Sequence, residues 1–481
     1  MSKIYLLLAP VTLAGCTVGA DYVRPQPAIA PAFGHAALIE RRDADAAWWR
    51  GFNDPLLATL VDRTVARNTD LAQARARIDQ SRAAARAAGA ALLPAADAAA
   101  TATTVSQSRN TAIGRITRAV GAERGYTEYA VGTQASWEID LFGGLRRGRE
   151  AARADLAAAE ASAGAVAIAV AAETADAYLT LRAFQSRLAV ARDQERNQAQ
   201  LDELVRQRVE QGIAAERDRN RTIAQLEGVR AAMAPLRAGI EAQLNRLDVL
   251  VGDPPGSNRA LLIDARPVPA APTPAGGAAP ADLLRRRPDV VAAERRLAAS
   301  NARIGVALAD YYPHLSLSGL LGVASLGTAN LFTGNSVQAS GGAALRWRLF
   351  DFGRVDAEVA AARGRQAEAL AAWRGSVLTA AEDVETALAR LAEAHKERAS
   401  LERETAALAR ARAQAQDAYA AGAVGLIDVI DANRELLAAT DRLAATRADE
   451  ARAAVAAYRA LGGGWQDASS RTLASAAAEH R

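Results

Sequence analysis

The sequence predicts an α+β membrane protein made of two internal repeats, each joining one β-hairpin to one very long α-helix. Three observations carry that prediction. The same landmarks occur twice along the chain, in the same order. Each copy holds a proline-free run long enough for a helix on the order of 100 Å, at ~1.5 Å per residue. Each copy also holds short stretches that alternate apolar with small or polar residues, as strands do.

The landmarks define the repeat. Trp137…Phe142-Gly143 recurs as Trp347…Phe352-Gly353, an offset of 210 (137 to 347), and Gly212 recurs as Gly422 at the same offset. Val251-Gly252 is matched in place by Leu461-Gly462. Upstream, Asp70 pairs with Asp289 and Pro94 with Pro313, at an offset of 219 (70 to 289). The difference between the offsets falls between Pro94 and Trp137, so the first hairpin has the longer loop. Residues 54–252 form the first repeat and 282–465 the second. Residues 253–281, rich in Pro, Gly and Ala, link them with little regular structure expected, and 466–481 read as a flexible tail.

Within each repeat a helical stretch opens after Asn68-Thr69-Asp70 or Arg287-Pro288-Asp289, where aspartate can cap or complement the helix start. It stops at Leu93-Pro94 or Tyr312-Pro313. Hairpins are expected over about 94–140 and 313–351. In the second, Leu315, Leu317, Gly319, Leu321 and Val323 alternate with Ser316, Ser318, Leu320, Gly322 and Ala324, and the strand returns over roughly 337–350. In the first, 101–105 and 126–139 correspond, but alanine blurs the alternation there. The long helices follow each Phe-Gly, over about 145–211 and 354–421, and break at Gly212 and Gly422. A shorter helix then returns to Gly252 or Gly462. It covers only part of the way, so a second short helix must complete the path.

Composition agrees with thin helical layers. Half the residues are apolar but only 5% are aromatic, so alanine dominates and allows close helix approach. The 58 Lys and Arg nearly balance the 54 Asp and Glu and are interspersed with them. A nucleic-acid binder gathers its basic residues into one stripe or arm, and none is present, so no nucleic-acid partner is expected.

Cys16 is the sole cysteine. Before it stand Lys3, a mostly apolar run over 4–13 and small residues, which read as a lipoprotein signal peptide over 1–15. Leu13-Ala14-Gly15-Cys16 resembles the bacterial lipobox, in which Cys16 becomes the lipidated first residue of an extended arm over 16–53. Thr17, rather than aspartate, follows it, as in lipoproteins sent to the outer membrane. No later stretch of ~20 apolar residues is free of charge, so any membrane crossing falls to β-strands. Two hairpins supply four strands per chain, and open strand edges in lipid leave backbone groups unpaired. Copies must therefore share one transmembrane β-barrel. Twelve strands in a trimer is the simplest closed answer, and eight in a dimer the geometric runner-up.

These elements, with specific motifs, resemble the TolC-type outer-membrane efflux proteins and, within them, the NodT-like lipoprotein branch. The motifs are Trp48-Trp49…Phe52…Asp54-Pro55-Leu56, Arg287-Pro288-Asp289 with Ala293-Glu294-Arg295-Arg296-Leu297, Arg303-Ile304-Gly305-Val306-Ala307, the paired Phe-Gly signatures and the closing Leu461-Gly462-Gly463-Gly464-Trp465. The resemblance covers nearly all of residues 16–465. It implies a homotrimer with a twelve-stranded barrel in outer-membrane lipid, continued into the periplasm by an α-helical coiled-coil barrel with an equatorial belt. It also implies a periplasmic adaptor, an inner-membrane pump of the RND type, and passive export of drugs, metals or other small molecules.

The resemblance puts the closed gate at the helix tips. Tyr419, Asp428, Asp431 and Arg434 match positions where the family carries the tyrosine, carboxylates and arginine that link helices and constrict the pore. Asp218 corresponds to Asp428 at the repeat offset. Val424 stands where some relatives carry a gating arginine, so this sequence departs from the pattern there. The turns at Gly212 and Gly422 are where the adaptor would dock. Asp431 and Arg434, three apart, share a helix face, and Asp428 in a first helical turn equally fits a dipole-complementing role.

Trp137 and Trp347 are expected as membrane-interface anchors, and Trp48 and Trp49 as packing residues of the belt. His35, His314, His395 and His480 lack metal-ligand spacing. No catalytic triad, phosphate loop or dinucleotide turn occurs in a usable context, so no enzyme, cofactor or metal is expected. The rival readings are a periplasmic adaptor, which would carry one helical hairpin between β segments, and a structural coiled-coil lipoprotein, which would lack the strands.

Overall fold

The computed structural model describes residues 17–26, 29–40, 46–275, 280–463 and 465, with the side chains of 281–283 excepted. The expected signal peptide, Cys16 and the tail over 466–481 lie outside the described residues. In chain order the elements are α1 (Pro55–Arg67), α2 (Thr69–Ala90), β1 (Ala95–Ser106), α3 (Ala112–Ala119), β2 (Gly125–Ile139), α4 (Gly144–Glu210), α5 (Glu216–Val251), the short α6 (Arg259–Leu262) and α7 (Pro280–Arg286), α8 (Pro288–Ala309), β3 (His314–Ser325), β4 (Val337–Arg346), α9 (Arg354–Ala420) and α10 (Leu426–Ala460). The chain divides into two compact units. One takes Asp79–Ala158 and Glu294–Ala371 with the described residues up to Arg24; the other takes Pro25–Ile78, Ala159–Ala293 and the described residues from Ala372.

The strand-bearing unit holds one antiparallel sheet in the order β1-β2-β3-β4. Its pairing registers decide which side chains share a face. Trp137 stands opposite Leu317, and Leu317 opposite Ala343. With the two-residue period of a strand, one face then collects Val131, Thr133, Trp137, Leu315, Leu317, Leu321, Val323, Val337 and Leu345. The other collects Glu128, Gln134, Ser136, Glu138, His314, Ser316, Ser318, Gln338, Ser340, Arg346 and, on β1, Asp97 and Thr101, with Leu320, Val105 and Tyr126 as its large apolar exceptions. Apolar-out, polar-in alternation of this kind marks strands that separate lipid from a watery lumen. Twelve residues of β3, at ~3.3 Å each and tilted by about 40°, span about 30 Å.

Both hairpins share one register once the offsets are applied. Ala95 pairs with Ser136 and His314 with Arg346, offsets of 219 (95 to 314) and 210 (136 to 346). The extra length of the first hairpin lies in its loop, where α3 forms; this helix was not expected. Thr111 caps it, accepting from the Gly114 amide at 3.2 Å. Two strands depart from the alternation pattern. β1 is longer than 101–105, because alanines with no face preference are held in place by β2. β4 stops at Arg346, short of 350, because β3, its one partner in the sheet, begins opposite it at His314. The equivalent residues of β2, Trp137–Ile139, lie past the end of β1 and are paired through β3 alone.

The helical unit is cored by alanine and short aliphatics: Leu57, Leu60 and Val61 of α1, Ala175, Leu179 and Leu181 of α4, Leu247 of α5, Ala380, Val384 and Leu388 of α9, and Ala439, Ala451 and Ala454 of α10. The apolar run of α4 over 161–172 lies between Glu160 and Glu173. Its 12 charge-free residues are fewer than the ~20 of a membrane-spanning helix, although α4 is, among the described residues, the one helix apolar enough by composition to be considered. Trp48 and Trp49 are buried here. Trp48 stacks on Tyr458 with ring centres 5.1 Å apart, and the Trp49 indole donates to Asp62.

At the start of α2, Asn68 is the cap, accepting from the Asp70 and Leu71 amides at 2.8 and 3.2 Å, and Asp70 stands in the first turn, where its charge complements the helix start. The linker is also more regular than expected, since α6 and the start of α7 lie within it.

Candidate functional site

The tips of the long helices are built from two matching turns. Gly212 and Gly422 end α4 and α9 with φ of 73° and 74°, the left-handed conformation that glycine adopts without penalty. In each, the amide after the glycine reaches back five residues, Ile213 to Arg208 at 2.8 Å and Ala423 to Ala418 at 2.9 Å. The glycine amides bond Val209 and Tyr419 at 2.9 and 3.0 Å. This double closure satisfies carbonyls that a helix end leaves unpaired.

The side chains around the two turns differ. Asp428 accepts from the Gly425 amide at 3.0 Å, at the start of α10. The structure thus supplies Asp428 with the local helix-start role that was open for it. Asp431 and Arg434 form an ion pair at 3.3 Å with both side chains largely exposed, 46% and 69%. Within one protomer such a pair contributes at most about 1 kcal/mol, so it leaves both groups accessible to other partners. Asp218 lies 3.6 and 3.8 Å from Arg217 and Arg221 of its own helix.

One tip residue was missed. Arg208 of α4 donates to the Tyr419 hydroxyl and lays its guanidinium over the Tyr419 ring, 4.9 Å from the centre. The pair links the two long helices directly at their ends, through a charged hydrogen bond and a cation–π contact. Arg208 stands four residues before Gly212 and Tyr419 three before Gly422. That shared last turn was the available signal. Beside them the Glu203 carboxyl is held down to about 2 by hydrogen bonds from Arg206 and Gln207.

Farther along, two bidentate pairs tie α4 to α10: Arg187 to Asp441 at 2.8 and 2.9 Å, and Arg452 to Asp176 at 2.7 and 3.4 Å. Arg287 of the Arg-Pro-Asp motif is buried. It donates to Asp289 at 2.7 and 3.1 Å, to Asp383 at 2.9 Å, and to the carbonyls of Ala380 and Ala460 at 3.3 and 3.0 Å. Burial works against the Asp289 carboxylate, and the hydrogen bond and charge of Arg287 outweigh it, holding the group below its ordinary value.

At the strand end, Trp137 lies on the apolar face and Trp347 just past the end of β4. Their indole N–H groups donate to the carbonyls of Leu92 and Tyr311, each at 3.0 Å. Among the described residues no group of three or more His, Cys, Asp or Glu is placed to hold a metal ion.

A sheet oily on one face and polar on the other, carried on alanine-packed helices of 67 residues, defines a membrane channel subunit of the strand-barrel class. The chain belongs to the outer membrane efflux protein family, whose profile matches residues 60–253 and 279–463. It is 30% identical to nodulation protein T of Rhizobium leguminosarum bv. trifolii over 430 residues, 88% of this chain and 89% of the relative. It is 32% identical to the pyoverdine export outer membrane protein OpmQ of Pseudomonas putida over 484 residues, 96% and 98% of the two chains. Among solved structures, the outer-membrane channel OprN superposes with a TM-score of 0.86 at 34% identity, covering 94% of this chain and 100% of that one. The protein is accordingly an outer-membrane efflux channel of the TolC type.

Proposed function

We propose that three copies of this chain share one twelve-stranded barrel, anchored by lipid on Cys16, with the helices in the periplasm. Drugs or other small molecules pass through the duct without chemistry on the way, delivered by a periplasmic adaptor and an inner-membrane pump of the RND type. The two-faced sheet with both edge strands unpaired carries this reading: a strand edge in lipid needs a partner, and the polar face supplies a wet lumen.

The gate in this reading is the helix tip. Arg208 holds Tyr419 from the neighbouring long helix, and Asp431 and Arg434 stand exposed where another protomer's tip could exchange with their local pairing. Asp428 and Asp218 add negative charge around the opening, and the turns at Gly212 and Gly422 offer the surface on which an adaptor docks. The test is planar-bilayer recording of the purified lipidated protein. The expected wild-type signal is a trimer with small, mostly closed, cation-preferring channels, and Asp431→Ala with Arg434→Ala should raise the conductance. Unchanged conductance removes those two residues from the gate. A monomer or dimer that conducts nothing overturns the shared barrel.

A further inference from the structure

The loop of the first hairpin, residues 107–124, differs in charge from its counterpart over 326–336. It holds Arg109, Arg115, Arg118 and Arg124 against the single acid Glu123, in a chain whose charges otherwise nearly balance. The second loop holds no charged residue. Among the described residues the side chains of Arg109, Arg115 and Arg118 are exposed and make no hydrogen bond or ion pair. Arg124 donates to the Gln107 carbonyl at 3.1 Å.

α3 sorts its side chains by face. Ile113, Ile116 and Val120 follow one another at three and four residues, so they line one side of the helix, and they are 63%, 64% and 72% exposed. Gly114, the buried residue of α3, lies against the Ser108 carbonyl, where a Cβ would clash. The helix is pinned to its own loop there, which leaves the isoleucine side uncovered. Arg115 and Arg118 lie on the far side of the helix from the isoleucines.

The sheet gives the height of this helix. Trp137 and Tyr129 lie on the apolar face of β2, eight residues apart (129 to 137). At ~3.3 Å per residue and a tilt of about 40° they stand about 20 Å apart, close to the ~25 Å band that aromatic girdles flank. Tyr129 marks the outer girdle. β2 starts four residues beyond it, at Gly125, about 10 Å higher on the same tilt. α3 therefore stands at the level of lipid headgroups.

We propose that α3 lies in the headgroup layer around the outer mouth, its isoleucine face on the acyl chains and its arginines on lipid phosphates. A helix with one apolar face and a basic polar face lies in an interface in this way, and guanidinium binds phosphate through paired hydrogen bonds. The other available cover, the α3 helices of neighbouring copies, would bring like charges together over the mouth. The inference rests on the shared-barrel reading with the helices in the periplasm, and adds a lipid contact to it.

Nitroxide quenching tests the seat. The full-length chain carrying Ile116→Cys, Arg118→Cys or Leu321→Cys is labelled with nitrobenzoxadiazole, with wild type as the background from Cys16. Each is reconstituted in phosphatidylcholine vesicles with nitroxides on the acyl chains, with or without lipid A, the phosphorylated lipid of outer membranes. Leu321 stands on the apolar face, 64% exposed, and reports whether the sheet is in the membrane at all. The label at position 116 should be quenched, more strongly with lipid A, and the label at 118 much less. Adding Arg109→Gln and Arg115→Gln to the Ile116→Cys chain should abolish the gain from lipid A. Quenching at 321 but not at 116 overturns the proposal, as does an unlabelled Ile116→Cys chain that cross-links to its neighbours on oxidation. Quenching at 116 that ignores both lipid A and the arginines overturns the phosphate contact. No quenching at 321 is a failure of the membrane reading itself, and the proposal falls with it.

Discussion

The strand end and the tips of this molecule treat the same internal repeat differently. At the strand end the two halves use the same residue for the same bond: Trp137 and Trp347 reach the carbonyls of Leu92 and Tyr311, which are themselves repeat equivalents. At the tips only the backbone path recurs, in the turns at Gly212 and Gly422, while Arg208, Tyr419, Asp428 and Asp431 have no like-for-like counterparts except Asp218. Between them lies an intermediate case. Asn68 donates to the carbonyl of Leu250 at 2.9 Å, and Arg287, its equivalent, donates to the carbonyl of Ala460, the equivalent of Leu250, at 3.0 Å. Here the bond is kept and the residue is changed. Strand pairing fixes both backbone and side-chain direction, so both halves face one solution there. A solvated helix turn fixes only its backbone, and its side chains are free to take separate tasks.

The intermediate joint gives the largest expected effect. Arg287→Ala should cost about 3 kcal/mol, the low end for breaking a buried pair because its aspartates are partly exposed. Asn68→Ala should cost about 1–2 kcal/mol for a lost cap and a lost buried hydrogen bond. Urea unfolding of the detergent-solubilised protein, followed by helical circular dichroism, measures both. Equal losses would mean that the ion pairs add nothing and the two joints are energetically the same.

Acid should separate the joints next. The Asp289 carboxyl is held below its ordinary value, so it binds a proton less readily folded than unfolded. Its contribution is present above the ordinary carboxylate pKa of about 3.9 and is lost as pH falls through the lower folded value. The stability difference between wild type and Asp289→Asn should therefore shrink below about pH 4, measured by the same unfolding. A difference that stays constant down to the folded value would contradict the pairing.

The smallest effects test the tips. Gly212→Ala and Gly422→Ala should each cost about 1 kcal/mol, because alanine is strained at positive φ. The two costs should match, since the backbone turns match. A difference in thermal midpoint between them would show that the side chains do reach into the turn energetics.

This pattern also explains what could be read from the amino-acid sequence. The repeat, the four strands and the long helices were legible because Trp, Phe-Gly and the turn glycines are demanded by local geometry and recur. β1 was blurred because its alanines carry no face signal, and the end of β4 was misplaced because strand length depends on a neighbour as much as on pattern. Asp70 was read as capping or complementing the helix start; it stands in the first turn, and the cap itself is Asn68, two residues earlier. At the tip, Tyr419 was singled out through resemblance alone, and its contact with Arg208 was not foreseen, because that contact joins non-equivalent positions of the two halves.

The unequal hairpin loops carry a consequence for symmetry. If three copies close one barrel, the wall contains six hairpins with interchangeable registers and comes near a sixfold cylinder. The rim does not. Only the loop over 107–124 carries α3, with Ile113 and Ile116 exposed, while the loop over 326–336 carries no such helix. A binder that reads the outer mouth would count three sites, whereas a solute in the lumen would meet six nearly equal sectors.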